Sequence, residues 1–369
     1  MSNLDEALER FHLSDLEYAG GLASHGPMGI EALESLGHQA LIPAFLDIYV
    51  PRLPPASPGK AMFDGELAAA RGQIERRADW VATFEARLEV ALEAPLEGRA
   101  GREVVREVLQ ETVPGLLPGL FAAAGHGFLR TVHALRSLER EDSPLRRREL
   151  ARGLAYWEAR YQTLPGVPGR RSERSAGGTG LSGFFETLPL LGDPTAREGL
   201  FFEAIRRLDA FEPFVTAIEH APTPRRDEDV GEFLAELARL AASLYLAHPE
   251  SRIAYVHAVT IPVAMGDMIA RLEEPDARRG AAYALQAVAA LHCLFGERMQ
   301  PVELGDEVRR TAESWDEIRY RAACSIQEHA IKMAEACWRA DRRSPDPVFR
   351  LAASDAALQL EGSRSAGGC

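Results

Sequence analysis

The sequence predicts an all-α protein, a single large multi-helix bundle. Three observations lead there. Ala, Leu, Glu and Arg dominate the chain, and these residues favour helices. Val and Ile are sparse and rarely alternate with polar residues, so strands lack their usual pattern. With 369 residues, 46% hydrophobic and 26% charged, the chain can bury a sizeable core. One helical domain is expected over residues 1–361, with a disordered tail at 362–369 (GSRSAGGC).

The elements follow in order. Leu4, Leu8 and Phe11 at helical spacing predict a short amphipathic helix over 3–18. The glycines of Gly20-Gly21-Leu22-Ala23-Ser24-His25-Gly26-Pro27 mark a tight turn. Pro27 suits the first turn of a helix running to Leu36 and ended by Gly37. His25 then stands just before that helix. A Pro-rich loop covers 50–61. One long helix or two follow over 64–93, with Trp80, Phe84 and Leu88 on one stripe, and another helix covers 102–111. Residues 119–139 carry His126, Arg130 and His133 on one helical face. Gly125 and Gly127 remove bulk around His126, which suits either close helix packing or the approach of a ligand. Tyr156, Trp157 and Tyr161 read as core on a helix over 147–162.

The run GRRSERSAGGTGLSG at 169–183 reads as a mobile loop or lid. It contains a literal G-x-G-x-x-G at Gly178–Gly183, but no strand precedes it, so a dinucleotide fingerprint is discounted. Helices are expected over 196–219, 230–247 and 278–295. The apolar segment Tyr255–Pro262 buries His257, and Pro262 predicts a kink beside it. A helical run from about 312 to 340 and a last helix near 346–360 complete the chain.

Charge and composition exclude several classes. The net charge of −13 argues against nucleic acid as partner. The arginine clusters Arg146–Arg148, Arg170–Arg171 and Arg225–Arg226 read as solvated surface. Cys293, Cys324, Cys337 and Cys369 form no C-x-x-C. No basic, apolar leader is expected at the start of the chain and no apolar run is expected to reach the length of a membrane span, so a cytoplasmic, reduced protein is expected. There is no H-E-x-x-H, P-loop or G-x-S-x-G.

One residue stands out by type. Among 42 Lys and Arg, only Lys60 and Lys332 are lysine. Lys60 lies in a Pro/Gly loop. Lys332 follows His329 by three residues, which on a helix puts the two side chains about 60° apart on one face. A lysine amine loses its proton when buried and then acts as nucleophile or base, whereas arginine stays charged. It also takes up carbon dioxide to form a carbamate, an anionic ligand. A snorkelling surface lysine is the plain alternative. Histidines on apolar helices are the commonest metal ligands, and His25, His126, His257 and His329 come from four separate segments.

The stretches G-L-A-S-H-G-P-M, G-H-G-F-L-R-T-V-H-A-L, Y-W-E-A-R-Y-Q, Y-V-H-A-V-T and E-H-A-I-K occur in order from residue 21 onward. Together they resemble the questin oxidase-like family of polyketide oxidases. The resemblance implies an all-helical fold with a metal site between helices: a mononuclear non-haem iron held by four histidines and a carbamylated lysine. Carried over by motif, these are His25, His126, His257, His329 and Lys332. The lysine count agrees independently with the last of them. It further implies an oxygenase that uses iron(II) and dioxygen to oxidise, and cleave a carbon–carbon bond of, an anthraquinone-like phenolic substrate. Arg130 and His133, beyond His126, are candidates for orienting the phenolate. The loop at 168–183 and the shorter chain depart from the fungal members and bear on the substrate.

The physics accords with this set. One carbamate reduces the charge of a buried divalent iron among neutral imidazoles to about +1. Two other readings compete. One is an NADPH-dependent Baeyer–Villiger-type monooxygenase, for which the chain carries no nicotinamide or flavin fingerprint. The other is a non-catalytic helical scaffold or partner-binding protein whose histidines are core residues.

Overall fold

The computed structural model describes residues 2–88, 99–171, 180–192, 195, 199–225, 229–298 and 313–360. Among them the protein is all-α, apart from one two-stranded ribbon of four residues. Where the sequence pattern predicts one domain, the chain groups into two compact units, Met1–Thr163 and Leu164–Cys369. The tail at 362–369 and most of the expected lid, including Gly178 and Thr179, lie outside the described residues.

Unit 1 holds α1 (Asn3–His12), β1 (Glu17–Tyr18), β2 (Leu22–Ala23), α2 (Gly26–Ser35), α3 (Ile42–Tyr49), α4 (Asp64–Ala70), α5 (Arg77–Arg87), α6 (Arg99–Leu116), α7 (His126–Arg140) and α8 (Pro144–Ala159). The first helix is shorter than its apolar spacing predicts. After His12 the chain turns out to pair with the Pro-rich loop, Asp15 N donating to Pro54 O at 2.8 Å and Ala56 N to Leu13 O at 2.8 Å. The ribbon then turns through Ala19, Gly20 and Gly21, all at positive φ, and delivers His25 to the start of α2. Helices α7 and α8 interlock through glycines. A Cβ on Gly127 would lie 2.4 Å from Trp157 Cα, and one on Gly153 would lie 2.8 Å from Thr131 Cα. The bulk missing at Gly127 therefore serves close helix packing, whereas Gly125 serves the left-handed turn before His126.

The arginine cluster at the start of α8 is corrected from solvated surface to buried ion pairs. Arg146 is 1% exposed; it donates through Nε to Asp5 at 3.0 Å and through Nη2 to Glu141 at 2.7 Å. Arg147 is also buried and holds Asp142 with two bonds. Cluster length in sequence carries no information on these partners, because Asp5 comes from the other end of the unit.

Unit 2 holds α9 (Leu181–Thr187), α10 (Phe201–Ala204), α11 (Glu212–Glu219), α12 (Val230–Ala247), α13 (Arg252–Met268), α14 (Glu274–Phe295), α15 (Trp315–Cys324), α16 (Glu328–Arg343) and α17 (Pro347–Gln359). Helix α13 is the axis of the unit, packed by α12, α14 and α16. The stretch Pro249–Arg271 is in fact long and apolar enough to cross a membrane by length and composition, which corrects the expectation that no run is. Most of it is buried within the unit, as a core helix is. The expected helical run over 312–340 is broken. Helix α15 stops at Cys324, Ile326 adopts φ +53°, and α16 starts afresh at Glu328. The Gln327 side chain caps the new helix, Oε1 accepting from His329 N at 2.7 Å and Ala330 N at 2.8 Å. His329 and Lys332 thus sit in the first two turns of a helix, not in its middle.

Candidate metal-ligand clusters

In unit 1 the candidate ligands are a pair. His25 is the residue before α2, with its backbone N donating to the Tyr49 hydroxyl at 2.7 Å. His126 is the first residue of α7. Both are buried, 3% and 2% exposed. Their rings stack with centroids 4.5 Å apart at 23°, and their Nε2 atoms approach to 2.6 Å. Two imidazole nitrogens on adjacent positions of one ion, each about 2.1 Å from it, lie about 3 Å apart. The separation is therefore close to that of two ligands sharing a cation.

The tautomer of His126 is set by its own backbone. Its Nδ1 faces the carbonyl of Ala123 in a short hydrogen bond. A carbonyl only accepts, so Nδ1 carries the proton and Nε2 presents its lone pair toward His25. The carbonyl reaches the ring because the turn Ala122–Gly125 runs left-handed, with φ of +48° at Ala123, +58° at Ala124 and +80° at Gly125. Glycine adopts this conformation freely, whereas each alanine there costs about 1–2 kcal/mol.

In unit 2 the candidates are His257 on α13 and His329 and Lys332 on α16. His257 is fully buried at 0% exposure. Its ring meets His329 edge-on at 5.8 Å between centroids, and Phe201 at 5.7 Å. Lys332, 2% exposed, lies one turn beyond His329 and is no snorkelling surface residue.

The backbone marks three of these four histidines. Among the described residues, only Ala19, Ala123, Ala124 and Ile326 are non-glycine residues at positive φ. Ala19 precedes His25 through the ribbon, Ala123 and Ala124 precede His126, and Ile326 precedes His329. A β-branched residue such as Ile326 is a pronounced outlier there. Such strain clusters at functional sites. No sequence pattern flags these corners, since A-A-A-G and S-I-Q are ordinary strings.

Arg130 and His133, expected to orient a substrate, are engaged elsewhere. Arg130 holds Glu149 through Nε at 2.6 Å and Nη2 at 3.0 Å. His133 Nδ1 meets Glu31 at 2.5 Å, and Arg136 and Arg140 bond to the same carboxylate. Burial works against ionising Glu149, but Arg130 and the hydrogen bond from His12 prevail and hold it down at about 2. Burial, partly offset by Glu149, pushes His12 down to about 4, so this pair is a neutral imidazole donating to a carboxylate rather than an ion pair. Both residues thus carry structural bonds.

A second imidazole cluster in unit 2 has no counterpart in the sequence reading. The Tyr255 hydroxyl lies 2.7 Å from His292 Nδ1, and His248 stacks on Tyr255. Burial, with the nearby His248, lowers His292 to about 4. Unit 2 also has a cavity of about 660 Å³ between α12, α13, α16 and α17, floored by Pro262, Val263 and Ala340 and flanked by Arg343. None of the five candidate ligands lines it.

The chain matches no family model and no curated protein. The resemblance to questin oxidase-like proteins rests on the quoted motifs.

Proposed function

We propose that the protein is a mononuclear non-haem iron oxygenase whose candidate ligands are His25, His126, His257, His329 and Lys332, the set that the quoted motifs imply. The observation that carries the reading is the His25–His126 pair: two buried imidazoles with converging Nε2 atoms, one of them with its tautomer fixed for ligation. The donor types fit the metal, since imidazole nitrogen and carboxylate-like oxygen both suit iron(II). Iron held there supplies dioxygen activation for oxidative carbon–carbon cleavage of an electron-rich, anthraquinone-like phenol.

The chain's own residues do the rest. Lys332 supplies the anionic ligand after its neutral amine adds to carbon dioxide and releases a proton. The carbamate places an anion beside the metal, so that each offsets the other's cost of burial. His257, buried on α13 against the rings of Phe201 and His329, is a further imidazole donor. Arg130 and His133 take no part, being bound to Glu149 and Glu31.

The test is oxygen uptake. Full-length protein loaded anaerobically with iron(II), then mixed with air-saturated buffer and an anthraquinone phenol, should consume oxygen without NADPH. Lys332→Arg should abolish the uptake. Consumption only with NADPH would favour the Baeyer–Villiger alternative, and none under either condition would sink the oxygenase reading.

A further inference from the structure

We propose that the two strained corners, Ala123–Gly125 and Ser325–Gln327, are positioning elements for metal ligands. The first sets the ring of His126 and the second sets the helix start that carries His329. The inference rests on the metal-centre reading and adds to it the residues that preorganise the ligands.

At the first corner the positioning group is the carbonyl of Ala123, which the left-handed turn aims at Nδ1 of His126. Without that turn the carbonyl would follow the helix axis and miss the ring. Acceptors of this kind behind a ligating histidine fix its tautomer and raise its basicity. At the second corner, Ser325 ends α15, with its backbone N donating to Arg321 O at 3.0 Å. Ile326 then takes the left-handed position where helices ordinarily place glycine. Gln327 follows directly and fastens the backbone of His329 and Ala330 through Oε1. Its amide nitrogen is 3.4 Å from His329 Nδ1, too long to orient the ring, so its role is in the backbone.

Glycine would hold the same φ at Ala124 or Ile326 with less strain, but it would also let the corner sample other conformations. Position and stability therefore pull in opposite directions at these sites. A merely structural corner would show no such opposition.

The experiment compares wild-type, Ile326→Gly and Ala124→Gly full-length proteins. Two quantities are read for each: the Tm of the metal-free form and the Kd for iron(II) alone, titrated anaerobically. For Ile326→Gly the expected result is an unchanged or higher Tm with iron binding roughly tenfold weaker. Ala124→Gly should change Tm little, since losing a buried methyl offsets the relief of strain, and should weaken iron to a similar degree. Unaltered iron affinity in both variants would overturn the proposal, as would weakening that merely tracks a fall in Tm. Should wild type take up no iron, the metal-centre reading falls instead. The proposal is then decided by ¹⁵N NMR of histidine-labelled, metal-free protein. A proton on Nδ1 of His126 upholds the positioning turn, and a proton on Nε2 overturns it.

Discussion

The two ends of α7's polar face use the same side chain differently. His133, two turns into the helix, meets a carboxylate that two arginines also hold. His126, at the helix start, meets a backbone carbonyl on one side and another imidazole on the other. Both are buried and both are partnered, so burial alone does not separate a structural histidine from a candidate ligand. What separates them is the environment's charge and the backbone before them. His133 sits in regular helix with anionic compensation, which suits a permanent ion-pair network. His126 follows two strained alanines and meets a second buried imidazole at 2.6 Å through Nε2, a separation that suits a hydrogen bond in the metal-free protein and two ligands around one ion.

Substitution at the two positions breaks the comparison most sharply. His126→Ala should remove bound iron entirely while leaving a folded protein. His133→Gln should leave iron stoichiometry unchanged and lower stability by about 1–3 kcal/mol, because Arg136 and Glu31 lose a buried partner. Metal analysis beside thermal melts reads both. The reverse pattern would exchange the roles.

The ion network around α7 sets the next largest effect. Glu149→Gln removes the anion that neutralises Arg130, both nearly fully buried. Leaving a buried charge uncompensated costs about 3–5 kcal/mol. Chemical denaturation should show a loss of that size, and a loss under 1 kcal/mol would mean that Arg130 finds another partner.

Acid should act on both units through other histidines. His12 in unit 1 and His292 in unit 2 are each lowered from 6.5 to about 4, chiefly by burial. The folded form then binds fewer protons than the unfolded one between these values. Their stabilisation is complete above pH 6.5 and declines as pH falls toward 4, by at most about 3 kcal/mol each. Glu149, lowered to about 2, adds a further loss only as pH falls below its usual value of 4.5. Melting temperatures measured from pH 7.5 to 4.5 should fall mainly below 6.5, and a flat profile would contradict the buried neutral imidazoles.

The smallest effect concerns packing behind His126. Gly127→Ala forces a methyl against the Trp157 backbone and should cost about 1–3 kcal/mol, through separation of α7 from α8. A melt unchanged within a degree would show that the interlock has slack.

Much of this molecule was legible in its sequence, for identifiable reasons. Helix formers without alternating β-branched residues were enough to predict the all-α class. Pro27 located α2 and hence the helix start where His25 stands. The apolar neighbours of His257 predicted its burial, and the rarity of lysine singled out Lys332, which is indeed buried. Long-range pairing was not legible. Asp5 meets Arg146 and Glu149 meets Arg130 only through tertiary packing, so arginine clusters read as surface and Arg130 as a substrate group. Positive φ at Ala123, Ala124 and Ile326 was invisible because none is glycine, and the corner at Ile326 therefore read as continuous helix.

The central proposal is that the candidate histidines are metal ligands. The most direct measurement is elemental analysis of purified full-length protein, wild type beside His126→Ala and His329→Ala, after anaerobic loading with iron(II). Close to one iron per chain is expected in wild type and almost none in either variant. Wild type without iron, or iron retained in full by one of the variants, would contradict it.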